Sequence, residues 1–236
     1  MTGSTEVSAL VLRRTDYRDY DRMITLLTAE NGKVEAVVRG CRRPKSELIN
    51  AAEPFVCGKY RLFMAHGRYT VTQCSVTDGF YPLREDIDRL TLGAGWLKLL
   101  EETSVYDEPA GELFDLALKA ISFLSYTGTD LKLLNAMFLM KLLRILGMSP
   151  LADRCFVCGK SAGENENMRF DALRGGCACL SCAPSAPPIS YGARRILLKA
   201  PRAPFKSVEL LLTHPDWREA ADRIEDFAHK RLNQNA

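Results

Sequence analysis

Four cysteines stand in two pairs, Cys155 with Cys158 and Cys179 with Cys182, and twenty residues separate the pairs. A C-x-x-C turn brings two sulfurs to one metal, and four thiolates are the ligand set of a tetrahedral structural zinc site. A catalytic zinc keeps an open position for water and uses fewer thiolates, so the expected role is structural. The spacing alone also suits an iron–sulfur cluster, and unliganded thiols are the bland alternative. Cys177 offers a C-x-C variant. Gly175-Gly176 before it reads as the turn feeding the second pair, which leaves Cys177 outside the ligand shell. No basic helix follows of the kind with which a zinc finger reads a major groove. The other three cysteines, Cys41, Cys57 and Cys74, are isolated and expected to be small buried hydrophobes.

The second pattern that could do chemistry is Arg39-Gly40-Cys41-Arg42-Arg43-Pro44-Lys45-Ser46, four cations in seven residues with Gly and Pro against regular structure. Arg39, Arg42, Arg43 and Lys45 suit phosphate contacts, which release counterions and give salt-sensitive, sequence-independent binding. A solvated mobile loop is the alternative. Upstream, Arg13, Arg14, Tyr17, Arg18, Tyr20 and Arg22 interleave cations with aromatics in what reads as a loop before the second strand. Arg14, Tyr17 and Arg18 are therefore further DNA-binding candidates, since bases stack on exposed rings. Tyr60 and Tyr69 lie on strands, where every second residue points inward, and are candidates for the interior.

Other chemistries lack their residues. There is no Gly-x-x-x-x-Gly-Lys phosphate loop, the three histidines (His66, His214, His229) are far apart, and acidic pairs such as Asp86 and Asp88 read as solvated helix faces. A non-enzyme is expected. The 236 residues carry a net charge of +3, so a basic surface has to be local. Residues 1–80 hold 12 Lys/Arg against 9 Asp/Glu and 191–236 hold 9 against 6, while 81–150 hold 7 against 10, so the two ends are basic and the stretch after the strands is acidic. Glu6 precedes the first apolar run, which does not fit a signal peptide, and no stretch reads as a membrane span, so a cytoplasmic protein with no membrane partner is expected.

The elements that position these residues fall into two regimes. Apolar runs at 7–12, 23–28, 34–38, 55–65 and 69–76 read as five short strands, the last two joined by a His66-Gly67 hairpin turn. Five strands suggest a small closed barrel over residues 1–80, with an open sheet the alternative. After Tyr81-Pro82 the period becomes helical. Leu131, Leu134, Phe138, Leu142 and Ile145 share one face, capped by Thr129 or Asp130 and stopped by Gly147; Glu108-Pro109 is expected to open the helix before it. The fold class is thus α+β multidomain, with a helical domain over 81–236 interrupted by a zinc insert at 151–188 and resuming after Pro187-Pro188 to end in an amphipathic helix from Trp217 to Leu232.

The stretch from Ala9 to Arg22, then Asn31-Gly-Lys-Val, Arg39-Gly-Cys-Arg-Arg-Pro-Lys-Ser, Glu53-Pro-Phe and the paired cysteines together resemble the DNA repair protein RecO family over nearly the whole chain. The resemblance implies an oligonucleotide-binding (OB) fold at the N-terminus, a helical remainder with structural Zn2+ on Cys155, Cys158, Cys179 and Cys182, and DNA contacts on Arg39, Arg42, Arg43 and Lys45. It implies a recombination mediator that binds single- and double-stranded DNA and anneals complementary strands. The implied protein partners are RecR and single-stranded DNA-binding protein, with assistance to RecA loading as the outcome and a nucleoid-associated place of action. A different class of function, a scaffold whose helical domain docks repair partners, is the alternative.

Overall fold

The computed structural model describes residues 3–164 and 166–232, apart from the side chains of Val208 and Leu212. Contacts divide the chain into two compact units, 1–127 and 128–236.

In the first unit, period-two patterning builds five strands: β1 (Gly3–Tyr17), β2 (Asp21–Thr28), β3 (Gly32–Val38), β4 (Cys57–Ala65) and β5 (Arg68–Asp78). β1 pairs antiparallel with both β2 and β4, β2 with β3, and β4 with β5; a short parallel pairing of Ala36 and Val37 with Tyr69 and Thr70 joins β3 to β5. Every strand therefore has two neighbours, and the ring closes in the order β1-β2-β3-β5-β4. Alternate residues fill the interior, among them Val7, Ala9 and Val11 from β1, Ile24 and Leu26 from β2, and Val34, Ala36 and Val38 from β3. His66 and Gly67 both take positive φ, the twist a two-residue hairpin turn needs between β4 and β5.

Tyr60 is fully buried, as its inward strand position suggests, and its hydroxyl donates to the Ala51 carbonyl at 2.8 Å. Burial pushes its phenol pKa up. Tyr60→Phe keeps the ring but strands a buried carbonyl, so its expected cost is about 1–2 kcal/mol, read from the shift in urea midpoint at unchanged m-value. Tyr69 is half-buried against the same core. Cys41 and Cys57 are buried and Cys74 is partly buried, with burial raising all three thiols, that of Cys57 to about 11.

The barrel is not the whole of its unit. Leu10, Leu12 and Leu27 point away from the interior yet are buried, because α1 (Ile87–Thr103) and α2 (Gly111–Tyr126) pack on the outer side of β1 and β2. Helical structure does begin just past residue 80, where the change of period puts it, but the packing boundary falls at Thr127. Asp86, expected on a solvated helix face, is instead the N-cap of α1; its carboxylate accepts the Asp88 and Arg89 amides, and its pKa is lowered chiefly by the Arg89 N–H. Glu108-Pro109 does not open α2, which begins two residues later at Gly111. The Ala110 amide preceding it is tied to the Ala29 carbonyl.

In the second unit α3 (Leu131–Ile145) is capped by Asp130, which accepts the Leu133 amide at 3.0 Å, and ends before Gly147 at φ 69°. A hairpin of β6 (Met168–Asp171) and β7 (Gly176–Cys179) follows, then α4 (Tyr191–Lys199), the short α5 (Val208–Leu212) and α6 (Trp217–Leu232). α3 and α4 both pack on α6, through its apolar face of Trp217, Ile224 and Phe227. Phe227 meets Phe170 of the hairpin with ring centres 6.1 Å apart. No described helix is long and apolar enough to cross a membrane.

Candidate metal centre and nucleic-acid interface

The four-cysteine group is assembled by backbone pairing. Gly176 of β7 adopts φ 122° and lies so close to the Leu151 backbone that a Cβ would collide with it. This contact docks the segment holding the first cysteine pair: the Leu151 amide donates to Gly175, the Cys177 amide donates to Leu151, and the Phe156 amide donates to Cys177. The first turn then closes through Gly159 (φ 74°), whose amide donates to the Cys155 carbonyl at 2.9 Å. The second closes as the Cys182 and Ala183 amides donate to the Cys179 carbonyl. Arg194, almost fully buried on α4, fastens the segment between the pairs by donating to the Ala162 and Gly163 carbonyls at 2.7 and 2.9 Å.

All four sulfurs, of Cys155, Cys158, Cys179 and Cys182, lie within 4.8 Å of one another, and those of Cys158 and Cys179 are 3.8 Å apart. Sulfurs placed tetrahedrally at a metal–sulfur distance of about 2.3 Å stand about 3.8 Å apart, so the group fits a single ion. Burial opposes ionisation of Cys155, but amide hydrogen bonds from Cys158, Cys179 and Val157 hold it down to about 6. Cys179 is lowered by its hydrogen bonds to Ser181 and Cys182, whereas Cys182 is pushed up to about 12 as donor to the others. Four sulfurs gathered this closely form a group that a cation would complete. Cys177 is not in the group. It is fully buried opposite Phe170 in the hairpin, with burial raising its thiol to about 12.

The basic residues converge at one end of the barrel. The stretch read as a loop from Arg13 to Arg22 is instead the projecting part of the β1–β2 hairpin: Arg13 to Tyr17 pair with Thr25 to Asp21, and only residues 18–20 form the turn. Arg13 to Asp16 are all exposed, so this ribbon lacks the in–out alternation by which a strand is read from sequence. Arg14 and Tyr17 thus sit on a strand and Arg18 in the turn, its guanidinium 5.1 Å from the Tyr17 ring centre. The 39–46 loop is irregular, as its Gly and Pro imply, and is anchored beside the hairpin. The Arg42 amide donates to the Tyr20 carbonyl at 3.0 Å, and the Gly40 amide donates to Asp21 at 2.8 Å.

Arg39, Arg42, Arg43 and Lys45 are all exposed, but their charges are not equally available. Among the described residues Arg39, Arg43 and Lys45 have no carboxylate partner, and Arg43 lies over the half-exposed Tyr20 ring at 5.2 Å. Arg42 pairs with Asp16 at 3.4 Å. Arg14 pairs with Glu53, which also holds Arg22 at 2.7 Å, and Arg22 in turn reaches Asp16 at 3.3 Å. Sequence reasoning had no signal for this network, because Asp16, Arg22 and Glu53 meet only through strand pairing and the return of the loop.

The residues that build the two sites also match known proteins. The family model described as Recombination protein O N terminal matches residues 1–80, and Recombination protein O C terminal matches 84–235. The chain belongs to the recombination protein O (RecO) family. Among its relatives, the DNA repair protein RecO of Anaeromyxobacter dehalogenans is 33% identical over 235 residues, covering 97% of this chain and 92% of the relative. That of Alkaliphilus metalliredigens is 30% identical over 97% of this chain and 89% of the relative. That of Acetivibrio thermocellus is 30% identical over 81% and 77%. The RecO N-terminal match coincides with the five-stranded barrel, and the C-terminal match spans the helices and the four-cysteine group.

Proposed function

We propose that this protein is a recombination mediator in DNA repair that binds single- and double-stranded DNA and anneals complementary strands without breaking a covalent bond. The observation that carries the reading is the set of exposed cations Arg39, Arg43 and Lys45, without a carboxylate partner among the described residues, beside the exposed Tyr20 on the barrel of a RecO-family chain. The closed five-stranded barrel with its parallel β3–β5 contact supports reading the first strands as an OB fold, a fold whose grooves hold strands by phosphate contacts and stacking. Neutralising one strand's phosphates lowers its repulsion for a second, so annealing needs no nucleotide fuel. In this reading RecR and single-stranded DNA-binding protein are the protein partners, RecA loading is the outcome, and the cytoplasmic nucleoid is the place of action. The four thiolates hold a structural Zn2+: with all positions taken by sulfur there is no open one for water, so the ion supports the insert and does no chemistry.

The test is strand annealing. Complementary oligonucleotides coated with single-stranded DNA-binding protein are mixed with and without this protein while salt is stepped. Duplex formation is expected to accelerate without nucleotide and to lose the acceleration as salt rises. No acceleration at low salt would refute the annealing reading in favour of a docking scaffold.

A further inference from the structure

Three of the guanidinium groups at the DNA-facing end are already occupied by the protein's own carboxylates. Glu53 Oε1 accepts from Arg14 and from Arg22 Nη1 at 2.7 Å; Asp16 takes Arg22 Nε at 3.3 Å through one oxygen and Arg42 Nη1 at 3.4 Å through the other. The result is a chain of five charges, Arg14, Glu53, Arg22, Asp16 and Arg42, with a net charge of only +1. Its members come from the projecting β1–β2 hairpin and from the loop that returns to β4, beside Arg43 and Lys45, which have no carboxylate partner among the described residues. The core of the network is sheltered, the Arg22 side chain being 14% exposed and that of Glu53 28%, while Arg42 and Asp16 open to solvent at 37% and 57%. Sheltered pairs resist screening by salt, so the carboxylates keep their hold on the guanidinium groups when free ions do not. Burial works against the Arg22 charge, and the two carboxylates more than restore it.

A carboxylate between two guanidinium groups has the charge and fork geometry of a phosphate oxygen pair. We propose that Glu53 and Asp16 act as built-in counterions that occupy a latent phosphate-binding site formed by Arg14, Arg22 and Arg42, holding the affinity of the DNA-facing end below what its arginines could provide. This rests on the DNA-binding reading above and adds to it a weakening device. A mediator that holds each strand loosely can release the duplex it has formed, and two carboxylates that compete with phosphate are a simple way to set that hold.

The experiment measures anisotropy of a labelled single-stranded oligonucleotide against salt for wild type, Glu53→Gln and Asp16→Asn. Both substitutions keep the side-chain shape and an acceptor oxygen while removing the negative charge. Each guanidinium released to a phosphate is expected to steepen the log–log salt slope by about 0.7, which at about 0.1 M salt is roughly fivefold tighter binding. Thermal melting of each variant checks the fold, and the two carboxylates are tested separately so that local disruption by one does not decide the matter. Wild-type slope and affinity in both folded variants would overturn the counterion proposal, and so would weaker binding, because the carboxylates would then be orienting the arginines for DNA. Wild-type protein that shows no salt-dependent binding would sink the DNA reading itself, a failure visible before either variant is compared.

Discussion

Cys179→Ser is expected to reduce bound metal from about one ion per chain to nearly none and to open the insert between Leu151 and Pro188 to proteolysis. Cys179 ends β7 and belongs to the second C-x-x-C turn, so its sulfur ties the hairpin to the first pair through the 3.8 Å contact with Cys158. Structural zinc supplies roughly 10–16 kcal/mol of apparent folding free energy in isolated finger peptides, far more than two short strands obtain from their own hydrogen bonds. Here the insert also leans on Arg194 and on the Phe170–Phe227 contact, so α3, α4 and α6 should retain their packing while the loops between them lose theirs. Trypsin is then expected to cut at Arg154, Lys160, Arg169 and Arg174 faster than in the wild type, with cleavage within residues 1–127 unchanged. Metal analysis of the purified protein and mass spectrometry of the fragments read both effects, and chelation of the wild type should reproduce them. A folded insert with no metal, or metal retained by the variant, would count against the four-thiolate site.

The second large effect is on DNA. Replacing Arg39, Arg43 and Lys45 together by alanine removes three exposed cations that have no carboxylate partner among the described residues. The salt slope for a single strand should fall by about 2, and at about 0.1 M salt affinity should drop about a hundredfold, equally for all sequences. Arg42→Ala alone should do less than any of the three, since Asp16 already offsets its charge at 3.4 Å. Because these side chains make no buried contact, the melting temperature should stay within the range of ordinary surface substitutions. An unchanged slope in the folded triple variant would remove the loop from the interface.

Much of this was legible in the sequence because it rests on local rules. Two C-x-x-C pairs bring sulfurs together through tight turns, and the structure gathers the same four cysteines and leaves Cys177 out. Period-two patterning found five strands because a barrel interior needs every second residue to be apolar, and His66-Gly67 found their hairpin because that turn needs positive φ. The exposed ribbon from Arg13 to Tyr17 escaped because alternation disappears where neither face is covered. Asp86 escaped because an N-cap and a solvated acid look alike until the free amides of α1 are in view.

By itself, then, the sequence determined which four cysteines come together, where most of the strands and helices lie, and which loop is cationic, since each follows from spacing, side-chain period or composition over a few residues. Only the tertiary structure decided which charges remain available. Arg14, Arg22 and Arg42 meet Glu53 and Asp16 through strand pairing and loop return across 6 to 39 residues of chain, while Arg39, Arg43 and Lys45 meet no carboxylate among the described residues. Coulomb interactions depend on distance in space, and sequence separation carries almost no information about that distance until the barrel has closed.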